Sequence, residues 1–181
     1  EFSKDTIISE NIDVSDGYLI SSYSVVDDDE NNTVNVTSDS SGYFKIIDNG
    51  LYIITDNTIN FEEEGTYNIT ITVSDIDDSS LYYEEAVVIT IIDIDEAPII
   101  TSNPNTKVNE DDIYSYTISA SDQDDDNIII TINGTLATWL TLTDYNDGTA
   151  LLEGIPTDSA VGFYTYTVLA KSTTYIATQT T

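Results

Sequence analysis

The chain has 181 residues, 40% of them hydrophobic, with 13 Tyr and one Trp, enough for packed cores in one or two domains. Lys and Arg together number 4 against 34 Asp and Glu, a formal net charge of −30 that excludes the phosphate-neutralising chemistry of nucleic-acid binding and attraction to an anionic membrane. With no Cys and no His, the chain has no disulfide, no thiolate or imidazole metal site, and no Ser-His-Asp or Cys-His catalytic group. No apolar run is long enough to span a membrane and no signal peptide opens the chain, which reads as a piece of something longer.

Taken in order, the chain alternates apolar and polar residues with period two, and nothing reads as an amphipathic helix. Ser9-Glu10-Asn11 precedes a turn at Asp16-Gly17. An acidic run, Asp27-Asp28-Asp29, follows Val25-Val26, and Asn49-Gly50 marks another turn. Tyr67, Ile69, Ile71 and Val73 alternate with Asn68, Thr70 and Thr72, the pattern of a half-buried strand that closes on Asp75. An apolar run (Val87, Val88, Ile89, Ile91, Ile92) then meets Asp93-Ile94-Asp95-Glu96-Ala97-Pro98, a short acidic joint closed by proline.

Beyond the joint the same features return. Asn109-Glu110-Asp111 echoes the opening, and Tyr114, Tyr116, Ile118 and Ala120 alternate as a strand. Asp122-Gln123-Asp124 then repeats the acidic run. Turns at Asn133-Gly134 and Asp147-Gly148 follow, then a third alternating strand on Tyr164, Tyr166, Val168 and Ala170. Short strands at this spacing, written twice, predict an all-β chain of two tandem Greek-key β-sandwiches, residues 1–97 and 98–181. Carboxylates packed as densely as Asp93, Asp95 and Glu96 repel one another unless a cation sits among them, and calcium takes six to eight such oxygens. The joint is therefore expected to be a calcium site.

These motifs carry a resemblance. Residues 5–98 resemble a cadherin repeat: Glu10-Asn11, Asp27 and Asp29, Ile59-Asn60-Phe61-Glu62, Asp75 and the linker Asp93–Pro98 stand in that family's order. The resemblance implies that Glu10, Glu62, Asp93, Asp95 and Glu96, with Asp122 and Asp124, hold calcium at the linker. It implies a weaker N-terminal half-site of Asp27, Asp29 and Asp75, to be completed by a preceding repeat. Asn60 stands where the family has Asp, keeping an oxygen as a candidate ligand but losing a charge. Lys171 stands where a further Asp is found, so one or two ions are expected rather than three.

Residues 99–181 resemble bacterial Ig-like and dystroglycan-type cadherin-like modules through Trp139-Leu140, Gly154-Ile155-Pro156-Thr157 and Val161-Gly162-Phe163-Tyr164. Trp139 is expected in the core, Gly154-Ile155-Pro156 at a turn, and Gly162 at the start of a strand. No calcium site is expected at the far end of this half, which lacks a counterpart of Phe61-Glu62. Together the resemblances imply a non-enzymatic, calcium-rigidified adhesion or structural fragment of a large secreted or cell-surface protein. Its partners would be calcium, neighbouring repeats, and homotypic or carbohydrate ligands. The alternative is a carbohydrate-binding or spacer module, for which Tyr82, Tyr83 and Tyr145 are the exposed-aromatic candidates.

Overall fold

The computed structural model describes residues 6–26, 31–124 and 127–181. It is all-β, with fourteen strands and one short 3-10 turn at Asp158–Ala160 among those residues. They form two compact units, Glu1–Ile94 and Asp95–Thr181.

Unit 1 stacks two sheets. One has the order β1 (Ile7–Ser9), β7 (Tyr82–Ile92), β6 (Thr66–Asp75), β3 (Asn32–Asp39); the other runs β2 (Tyr18–Ser22), β5 (Gly50–Ile53), β4 (Phe44–Ile47). All pairings are antiparallel except β1 with β7, which is parallel, with Ile7 opposite Thr90 and Ser9 opposite Ile92. The alternation at 67–73 puts Ile69 and Ile71 inward with Ile89, Ile91, Leu51, Ile53 and Ile59, all buried. Each inward aliphatic side chain removed from water contributes about 1.5–3 kcal/mol.

Unit 2 repeats the Greek key with a different start. Its sheets are β11 (Leu140–Asp144), β12 (Thr149–Gly154), β9 (Tyr114–Ser121), β8 (Ile99–Ile100), and β10 (Ile129–Asn133), β13 (Thr167–Lys171), β14 (Ile176–Thr180). Here the first strand, β8, pairs antiparallel with β9 instead of joining the last strand. The core gathers Tyr116, Ile118, Ile130, Leu152, Val168 and Ala170.

Two turns differ from expectation. At Asn49-Gly50 the hairpin loop is Asp48-Asn49, with Asp48 at φ 49°, and Gly50 already sits in β5 opposite Ile47. A Cβ there would lie 2.7 Å from Leu19 Cδ1 and Tyr52 Cε2, so both side chains would have to shift to admit one. Gly154 likewise lies inside β12, before the turn, and a Cβ there would lie 1.8 Å from the Trp139 carbonyl oxygen.

The third alternating strand is also shorter than its pattern. Regular pairing begins at Thr167, and Phe163–Tyr166 lie outside it, so Gly162 does not open a strand. Tyr166 is still buried, and its backbone exchanges two 3.0 Å hydrogen bonds with Thr181. Its hydroxyl lies 3.1 Å from that of Tyr114. Burial pushes both phenols above the ordinary tyrosine range, with the Tyr114 hydroxyl raising Tyr166 further. A raised folded-state pKa means the neutral form is favoured on folding. The stability it confers is complete below about pH 10, the ordinary value, and is lost as pH climbs through the raised one. Unit 2 should therefore destabilise above about pH 10, and Tyr166→Phe should flatten that alkaline limb in urea midpoints measured from pH 8 to 11.

Candidate metal centre

Glu10 is the most constrained acidic residue of unit 1. It follows β1, is 2% exposed, and its N–H donates to Ile92 O at 3.2 Å. Its carboxylate accepts from two backbone N–H groups, Phe61 N to Oε2 at 2.9 Å and Ile94 N to Oε1 at 2.6 Å. One buried side chain thus ties the loop before β6 to the end of β7. Asn11 adopts the left-handed conformation at φ 59° and donates its N–H to Ile59 O at 3.0 Å. Asn tolerates that conformation better than most side chains, and the turn brings Ile59-Asn60-Phe61-Glu62 alongside Glu10.

Carboxylate oxygens of Glu10, Glu62 and Asp93 lie within 4.8 Å of one another. Glu62 and Asp93 are exposed, so the cluster opens to solvent on one side. Every donor is a carboxylate oxygen, and the chain has no His or Cys to add a nitrogen or sulfur ligand. That donor set suits a hard cation such as calcium and not zinc or copper. Asn60 serves the local turn instead. Its side-chain oxygen accepts from Glu62 N at 2.8 Å and Glu63 N at 3.4 Å.

In unit 2 the acidic residues at 95–96 and 122–124 form a set of their own. Glu96 N–H donates to Asp124 Oδ2 at 2.7 Å, and Asp124 N–H to Asp122 Oδ1 at 3.2 Å. Asp95 Oδ1 and Asp124 Oδ1 are buried without a hydrogen-bond partner among the described residues. A buried, unpartnered carboxylate oxygen costs free energy unless a cation or water meets it, so both fit a cation-binding role. Lys171 is exposed at the end of β13.

The expected half-site at the other end of unit 1 is less complete. Asp75 ends β6, and its Oδ1 accepts from Asp77 N at 2.7 Å and Asp78 N at 2.8 Å, a local turn. Asp27 and Asp29 lie outside the described residues. The echo seen in the sequence is reproduced in the backbone of unit 2. Asp111 adopts φ 61° and donates to Pro156 O at 2.8 Å, as Asn11 does to Ile59. Its neighbour Glu110 is exposed, whereas Glu10 is buried.

What the residue pattern did not reveal is the purely structural half of Glu10. The partners of its carboxylate are backbone groups, which carry no sequence signature. Trp139 differs from expectation too. It sits at the edge of the core, half-buried, edge-to-face with Tyr114 and Tyr164 at 6.0 Å each. Tyr82, Tyr83 and Tyr145 are all exposed; Tyr82 and Tyr83 both are because β7 starts beyond the packed core.

Two sandwiches with these strand orders define the class: cadherin-type and Ig-like β-sandwich repeats. No protein-family model and no curated protein sequence matches the chain. Solved structures do. The EC1-2 fragment of human mucin-like protocadherin aligns over 99% of this chain and 94% of its own, at 20% identity and TM-score 0.59. Extracellular cadherin domains 3–6 of protocadherin gamma B2 align over 100% of this chain and 45% of theirs, at 16% identity and TM-score 0.65. The human desmocollin-1 ectodomain aligns over 99% and 39%, at 16% identity and TM-score 0.57. This chain thus spans less than half the length of the latter two. At these identities the likeness is one of fold.

Proposed function

We propose that the chain is a calcium-binding structural repeat pair of an adhesion-type extracellular protein. The observation that carries this reading is the convergence of Glu10, Glu62 and Asp93 within unit 1. Those three hold the ion from unit 1, and we assign Asp95, Glu96, Asp122 and Asp124 of unit 2 to the same chemistry. Calcium supplies charge neutralisation and a many-oxygen coordination shell. The protein's part is to position the ligands: Glu10 through its two backbone donors, Glu62 through the Asn60 turn, and Asp93 through the end of β7.

The consequence is mechanical. Residues 93–96 form the covalent joint between the units, and three of the four are acidic. With their charges neutralised this segment is restrained; without an ion, their repulsion keeps it mobile. Two tandem β-sandwiches with short loops form a spacer whose partners would be its neighbouring repeats and copies of itself. The buried Glu10 and the acidic joint support a secreted or cell-surface setting, where calcium is plentiful.

Thermal melts in millimolar calcium and in chelator, with calorimetric titration, test the assignment. Extracellular calcium modules bind at about 10⁻⁴ to 10⁻³ M. At about 1 mM free calcium, one- to tenfold above that dissociation constant, calcium should add about 0.4–1.4 kcal/mol of stability, rising to about 2.7 kcal/mol at a hundredfold excess. Glu62→Gln with Asp93→Asn should abolish most of that gain, as should Glu96→Ala with Asp122→Ala. A full gain retained in both variants would show that the ion binds elsewhere.

A further inference from the structure

The chain carries two Asn-Gly pairs, Asn49-Gly50 and Asn133-Gly134, and the fold treats them differently. In such a pair the glycine nitrogen, once hydroxide has taken its proton, can attack the carboxamide carbon of the asparagine before it. A new N–C bond closes a succinimide ring, the bond to the side-chain –NH₂ breaks, and ammonia leaves. Water then opens one of the two ring carbonyls, giving aspartate or isoaspartate. The reaction needs a glycine N–H that is not held by a hydrogen bond, and a peptide plane free to turn that nitrogen towards the side chain.

Asn49-Gly50 offers neither. Gly50 is buried in β5, the central strand of its sheet, opposite Ile47 of β4 and Ser22 of β2. The Asn49 carbonyl accepts from Tyr23 N at 3.0 Å, which fixes the peptide plane between Asn49 and Gly50. Turning that plane would disturb the pairing on both sides of β5. The two Asp-Gly pairs are held as well, and a carboxylate is a poorer electrophile than an amide. Gly17 N donates to Val14 O at 3.1 Å, and the buried Gly148 accepts from Ala120 N at 2.8 Å.

Asn133-Gly134 is open in each of these respects. β10 is an edge strand paired with β13 alone, and Asn133 is its last residue, opposite Thr167. From there residues 134–139 cross to β11 in the other sheet of unit 2, so no hairpin partner faces Gly134. Both residues of the pair are exposed. Gly134 has φ 112°, a region glycine enters without strain. A Cβ built on it would come no nearer than 3.8 Å to Tyr166 Cα and 3.9 Å to Thr165 O. Among the described residues neither the Gly134 N–H nor the Asn133 carboxamide makes a hydrogen bond.

We propose that Asn133 is a site of spontaneous deamidation in the folded protein, and that the fold protects Asn49 from the same reaction. The product adds a negative charge at the edge of unit 2. Isoaspartate also inserts a methylene into the main chain at the last rung between β10 and β13, beside Tyr166. The only co-reactant is water, so the change accumulates with the age of the molecule.

The test uses the chain expressed in bacteria, so that the Asn133-Gly134-Thr135 sequon carries no glycan. It is incubated at about pH 8, folded and in concentrated urea, and mapped by peptide mass spectrometry with isoaspartyl methyltransferase labelling. In the folded protein Asn133 should convert roughly tenfold or more faster than Asn49, because Gly50 must first be released from its ladders. In urea the two sites should convert at similar rates. Asn133→Gln should remove the folded-state signal, since glutamine would have to close a larger and slower ring. A folded-state rate at Asn133 equal to or below that at Asn49, or conversion of Asn133 only in urea, overturns the proposal.

Discussion

Glu10→Ala should lower the stability of unit 1 by about 3–5 kcal/mol with no calcium present. The carboxylate accepts from two backbone N–H groups, and a hydrogen bond to a charged group contributes about 1.5–3 kcal/mol. Alanine leaves both donors, Phe61 N and Ile94 N, without an acceptor at a site where the side chain is 2% exposed. Glu10→Gln should cost about half as much, because the amide keeps one oxygen to accept and turns an –NH₂ towards the other donor. Urea unfolding in chelator, followed by far-UV circular dichroism, measures both. Trp139 emission reports unit 2 and should hold its midpoint. A midpoint for Glu10→Ala within error of the parent would show that the two hydrogen bonds are not what fixes the loop before β6 to the end of β7.

Gly154→Ala should be the most damaging single-methyl change in unit 2. The ideal Cβ falls 1.8 Å from the Trp139 carbonyl oxygen and 2.8 Å from its carbonyl carbon, both backbone atoms that no rotamer change can move aside. The Leu140–Gly154 pair that starts the β11–β12 ladder must open, and Trp139 must leave its place against Tyr114 and Tyr164. Overpacking of this kind costs about 3 kcal/mol or more. Trp139 emission would move to the red and its urea midpoint would fall, while the unit 1 signal stays in place. Gly162→Ala makes a fair comparison, since nothing lies within 4 Å of a Cβ there. It should be close to neutral.

Much of the fold was legible because side-chain periodicity records burial. Tyr67 to Val73 and Tyr114 to Ala120 alternate in the sequence, and all their apolar members except Val73 sit in or against the two cores. The echo of Glu10-Asn11 in Glu110-Asp111 was legible too, and it marks the same left-handed turn twice. Three features were not legible, each because the cause lies elsewhere in the chain. Gly50 and Gly154 read as turn residues, but both lie in strands, and at Gly154 the Trp139 backbone leaves no room for a Cβ. Tyr164 has strand periodicity, but a strand needs a neighbour to pair with, and alternation says nothing about that. Among the acidic residues, Glu10, Glu62 and Asp93 were named together from family order, and the structure brings them together. The local roles of Asn60 and Asp75 in their own turns are chemistry that any Asn or Asp shows, so sequence alone could not separate them from ligands.

The pairing of first and last strands differs between the units, and this bears on how each would carry a pull. In unit 1, β1 lies parallel to β7 with three residue pairs in register, so its entering and leaving strands share one ladder. Tension applied along the chain loads those rungs side by side, in shear, and they must give way together. In unit 2, β8 belongs to one sheet and β14 to the other. Among the described residues no ladder joins them, so the same tension passes through side-chain packing and the hydrogen bond from Gln179 Nε2 of β14 to Ser102 O at 2.8 Å. Stretched end to end, unit 2 should be the first to yield, and unit 1 the one that keeps its length.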